Sequence, residues 1–152
     1  MYYSGSKTAF DVTFTRIPTN GLWLTKCKNV AKSYATTVGT VKQFKVKCTN
    51  TLDIRNLGWQ CTAENARKTF EQFNVVLPDT FYDVFLSKAK EEEQTEWFTY
   101  AIIDGEDWKT DRYTAIQAIK DAGFDSLILL DSHYLGEQLD SLVIFDEKQI
   151  EK

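Results

Sequence analysis

A chain of 152 residues, 43% of them hydrophobic and 14% aromatic, carries enough apolar side chains for one packed domain and too many for a disordered one. The net charge is −4, and lysines and arginines are scattered apart from Lys42, Lys45 and Lys47, so the sequence offers no basic face for nucleic acid or an anionic membrane. Three cysteines without paired spacing (Cys27, Cys48, Cys61) and a single histidine, His133, support neither a disulfide framework nor a metal site, and the thiols read as reduced.

Taken in order, Met1 to Ser6 reads as a short strand, and Asp11 to Arg16 alternates Val12 and Phe14 with polar neighbours as a half-buried strand does. Pro18, Asn20 and Gly21 turn the chain into Leu22-Trp23-Leu24-Thr25, a strand by its content. Near Lys26 to Asn29 the apolar period changes from two to about 3.6, and Ala31, Tyr34 and Ala35, beside Val30 and Val38, mark a helix. Thr40 to Cys48 is a strand with its lysines outward. Residues 50–61 read as an irregular connection before a helix capped by Thr62 and running to about Phe73 on an Ala63, Ala66, Phe70, Phe73 stripe.

Pro78-Asp79 starts another helix, with Phe81, Val84, Phe85 and Ala89 inward and Glu91, Glu92 and Glu93 on a solvated face. Trp97 to Ile102 is a buried segment whose pattern fits helix and strand alike. Thr110 to Ala122 is the clearest helix, with Gly123 as its C′ residue. Strand Ser126 to Asp131, a loop with His133, Gly136 and Glu137, and strand Ser141 to Phe145 follow. The layout is α+β in a single domain over residues 1–152, with short strands at both ends forming a split or two-sheet core, joined in one sheet or in two packed sheets, and helices between. The polar N-terminus lacks a signal-type apolar stretch and no apolar run approaches about 18 residues, so a soluble cytoplasmic protein is expected.

Trp23 and Tyr34, on a strand and the helix it runs into, are either two core residues or the walls of a slot for a planar ring, best of all a cationic one. Four stretches bear on the choice: Tyr3-Ser4-Gly5-Ser6; Gly21 to Thr25 with Ala31-Lys32-Ser33-Tyr34-Ala35; Gly123-Phe124-Asp125-Ser126; and Leu142 to Ile150. In content and order they resemble the ADP-ribosyltransferase family, the fold of diphtheria toxin, the poly(ADP-ribose) polymerases and related domains of phage polyvalent proteins. That family shows Tyr-His-Gly-Ser/Thr, then Gly-Ile-Tyr-Phe-Thr/Ala with Ala-x-x-Tyr-Ala, then Gly-Tyr-Asp-Gly, then Tyr-Val-Val-Phe-Asp-x-x-Gln-Ile.

The resemblance implies NAD as substrate, its nicotinamide stacked between Trp23 and Tyr34, with Gly5 and Ser6 holding the carboxamide. Ser4 stands in the place of the family's histidine, near the ribose, and Ser141 in the place of its glutamate. Breaking the nicotinamide–ribose bond creates an oxocarbenium-like sugar that a carboxylate stabilises, and a serine hydroxyl supplies no such charge. Glu137 and Asp140 are the substitute acids nearest in sequence, with Asp131, Asp107 and Asp111 further candidates and Arg16 a candidate for the pyrophosphate. Asp140 shares the face of Ser141 only if its strand begins late or a bulge re-aims it.

Two functions follow as expectations. One is a mono-ADP-ribosyltransferase, phage or mobile-element encoded, acting on a macromolecular target, most simply a protein. The other is the same fold without chemistry, a binding module or inhibitor of a host factor. Neither includes a membrane or nucleic-acid partner.

Overall fold

Strands from both ends of the chain meet in the middle of one sheet. The computed structural model describes residues 1–6, 21–35, 39–57, 63–79, 82, 112–134 and 137–151. The expected strand at 11–16, the helix after Pro78, the segment 97–102, and Arg16, Thr62, Asp107 and Asp111 lie outside them. Strands β1 (Tyr2–Ser6), β2 (Leu22–Thr25), β3 (Thr40–Phe44), β4 (Thr51–Asp53), β5 (Ser126–Tyr134) and β6 (Glu137–Ile144) run in the order β3-β1-β2-β6-β5-β4. Only β4 and β5 are parallel. A single register pair, Tyr3 with Thr25, joins β1 to β2. Of the one sheet or two packed sheets that the layout allowed, the described residues form one six-stranded sheet with a thin seam.

Alternation along the strands sorts side chains onto two faces. On one, Trp23, Leu52, Leu127, Leu129 and Val143 pack with Ala66 and Phe70 of α2 (Ala63–Gln72) and Ala115 and Ile119 of α3 (Arg112–Asp121). Phe70 and Ile119 are fully enclosed, each worth about 1.5–3 kcal/mol of apolar burial. The reverse face gathers Leu22, Leu24, Ile128, Leu142 and Ile144 against Tyr2, Phe44, Val46 and Ile150.

Helix α1 (Lys28–Ala35) turns Val30, Ala31 and Ala35 inward and packs on β1. A Cβ at Gly5 would overlap the carbonyl oxygen of Ala31, so the glycine is what lets strand and helix backbones approach. Helix α3 ends as expected at Gly123, with φ 93°, Phe124 N–H donating to Ile119 at 3.2 Å and Gly123 N–H to Lys120 at 2.9 Å. Asn74, with φ 57°, closes α2 in the same way, Val75 N–H donating to the Phe70 carbonyl.

Three expectations on secondary structure are corrected. The strand from Thr40 stops at Phe44, and beyond it Val46 forms a bridge with Ile150. The connection 50–61 contains β4 and a 3₁₀ turn, Arg55–Leu57. The last two strands form one long hairpin that includes His133 and Glu137, both expected in a loop. A polar run such as 131–138 shows no apolar period, but hairpin pairing is made by backbone groups and proceeds without one.

Candidate functional site

The positions implied by the family resemblance fall on one stretch of sheet but not on one face of it. Register puts Tyr3, Thr25, Ser141 and Leu129 in a row across β1, β2, β6 and β5. Thr25 and Ser141 are buried, and the Thr25 hydroxyl accepts the Cys27 N–H at 3.1 Å. Trp23 lies one step along the same face, opposite Val143, and packs against the larger core. Lys28, opening α1, holds its ammonium 6.0 Å from the Tyr3 ring centre. Tyr34 stands on the outer side of α1 and is 50% exposed, so it is not the second core residue that its helical spacing allowed.

Ser4 is buried and paired with Lys42, and alternation turns it away from the side of β1 that carries Tyr3 and Gly5. The room left by the missing Cβ of Gly5 is taken by α1 rather than open to a ligand. Ser6 ends β1 opposite Thr40.

Asp140 lies on the face opposite Ser141. Strand β6 begins early, at Glu137, and the register shift falls on β5, where Asp131 is the extra residue between Leu130 and Ser132. The Asp140 carboxylate takes a hydrogen bond from Arg55 at 3.1 Å, and Arg55 forks onto Asp53 at 2.6 and 2.9 Å. The Arg55 hydrogen bond holds the Asp53 carboxyl below its usual range, and the two carboxylates raise the Arg55 guanidinium, that of Asp53 foremost. This triad clasps β4 to β6 on an exposed surface, where such pairs contribute little stability. Glu137 opens β6 opposite Tyr134.

Beside the clasp the reverse face is concave. Two adjoining hollows of about 340 and 350 Å³ share Tyr2, Ile128 and Leu142 as floor, with Lys26 and Asp140 at the rim of one and Asp53 at the rim of the other. Lys26 places its ammonium 5.8 Å from the Tyr2 ring centre. Among the described residues no group of His, Cys, Asp and Glu could hold a metal ion, and no helix is long and apolar enough to cross a membrane.

The stretches that carry the resemblance have visible structural work. Besides Gly5 and Gly123, the Asp125 carboxylate accepts the Thr49 N–H at 2.7 Å, the Thr49 hydroxyl and the Ser126 hydroxyl, tying the end of α3 to the approach to β4. Asp146 caps the 3₁₀ turn Glu147–Gln149 through the Lys148 N–H, and the Gln149 side chain accepts N–H groups from Phe145 and Asp146 at 3.0 Å each. Gln149 belongs to the Leu142 to Ile150 stretch of the resemblance, where no structural role was assigned to it. The signal was an Asp followed three residues on by Gln, a capping box. No protein-family model matches the chain, and no curated protein or solved structure matches it either.

Proposed function

We propose that this protein is a non-catalytic binding module on an ADP-ribosyltransferase-like core, holding a protein partner. One observation carries the reading. Gly5, Gly123, Asp125, Asp146 and Gln149, where the sequence keeps the family pattern, serve helix packing, helix ends and loop ties, while Ser4 and Ser141, where it departs, are the positions of chemistry. A scaffold kept and a charge lost is what a repurposed enzyme fold leaves behind. Among the described side chains no carboxylate joins Trp23, Thr25 and Ser141, since Asp140 faces the other way and is hydrogen-bonded by Arg55. The apolar floor and charged rim beside Asp140 have the composition of a protein-docking groove.

The second reading is the NAD-consuming mono-ADP-ribosyltransferase, with an acid from outside this row. It is favoured by the placing of Trp23, Thr25 and Ser141 on the face that α1 covers, with Tyr34 exposed on that helix. Labelled NAD incubated with the folded protein, with and without cell lysate, separates the two. The module binds a partner stoichiometrically and releases no nicotinamide. The transferase releases nicotinamide and labels a target, and loses both in Trp23→Ala and Tyr34→Ala.

A further inference from the structure

We propose a second site, independent of the reading above: a pocket for a small phosphorylated anion between the end of α3, the 3₁₀ turn 147–149 and residues 47–49. The pocket is about 530 Å³, within the range of small-molecule sites, and Lys47, Lys120 and Lys148 line it with Thr49, Asp125 and Asp146. None of the residues discussed for NAD lines it.

The carboxylates of the lining are hydrogen-bonded, while its lysines form no close ion pair among the described residues, Lys47 acting on Glu151 only at longer range. Among the described residues Lys45 is paired with Glu151 and Lys68 with Glu64, whereas Lys47, Lys120 and Lys148 have no carboxylate within salt-bridge distance. Asp125 already accepts from Thr49 and Ser126, and Asp146 from the Lys148 N–H. Hydrogen bonding holds both acids in place, and the lining still carries three lysines against two carboxylates, in a chain whose net charge is −4. Lys120 also complements the negative end of α3, but the carbonyls of Ile119 and Lys120 there are capped by N–H groups, and Lys47 and Lys148 belong to no helix end of that kind. Three point-charge donors around a hollow suit the several oxygens of a phosphate or pyrophosphate group. The concave shape favours a free small molecule over a lipid headgroup in a flat membrane.

Inorganic pyrophosphate titrated into the full chain by isothermal calorimetry tests the site, with Lys47→Ala, Lys120→Ala and Lys148→Ala as probes and the exposed Lys32→Ala and Lys68→Ala as controls. The expected result is saturable one-to-one binding that weakens with added salt, each pocket variant binding about two- to fivefold more weakly and the controls unchanged. All five side chains are removed from the surface, and circular dichroism verifies folding. No saturable binding, equal losses in the controls, or capture by phosphoinositide vesicles without pyrophosphate binding overturns the proposal.

Discussion

Replacing Gly5 by alanine separates a packing role for this residue from a ligand-binding one. The added methyl would overlap the Ala31 carbonyl oxygen and stand 2.9 Å from the Ala31 carbonyl carbon and 3.0 Å from the Ala35 nitrogen. All three are backbone atoms of α1, so no side-chain rotation relieves the clash and the helix must move as a unit. Overpacking of this kind costs about 1–3 kcal/mol, which for a domain of this size lowers Tm by about 3–10 °C. Thermal unfolding followed by far-ultraviolet circular dichroism reads the shift. A Gly5→Ala protein melting within about 1 °C of the wild type would refute the reasoning and return Gly5 to the role of a backbone left open for a ligand.

Phe70→Ala removes a fully enclosed ring and should cost about 3–5 kcal/mol by chemical denaturation; a loss below about 1 kcal/mol would mean the core is not centred there. Asp140→Asn should leave stability within about 1 kcal/mol, because Arg55 keeps its fork onto Asp53 and the pair is exposed; a larger loss would show the clasp to be structural. Burial raises the Asp125 carboxyl, but hydrogen bonds from Thr49, Ser126 and the Asn50 backbone outweigh it and hold it below 3.8. Its contribution is thus full above that pH and fades as pH falls through the lowered folded value. Asp125→Asn should melt lower than wild type at pH 7, with the gap closing below about pH 4; a gap independent of pH contradicts this.

The parts of the fold written in apolar periodicity were legible. Leu22 to Thr25, the helix through Ala31 and Ala35, and the helix expected over Thr110 to Ala122 and found as Arg112–Asp121 fall where their patterns put them. Strand β4 was hidden because three residues show no period, and its pairing comes from β5, far along the chain. The outer hairpin was hidden by its polar residues. For the candidate site, spacing brought Trp23 and Tyr34 near each other in sequence but could not say that one ring packs into the core while the other is half exposed. The face of Asp140 depended on where β6 begins and which strand is bulged, and both are set by pairing across the hairpin rather than by local composition.

Nicotinamide release from labelled NAD by the folded wild-type chain is the most direct measurement of whether chemistry was lost with the charge. A non-catalytic module releases none above the buffer control, in the presence or absence of lysate. Release above that control which disappears in Tyr34→Ala contradicts the proposal and makes the chain an enzyme whose acid lies elsewhere.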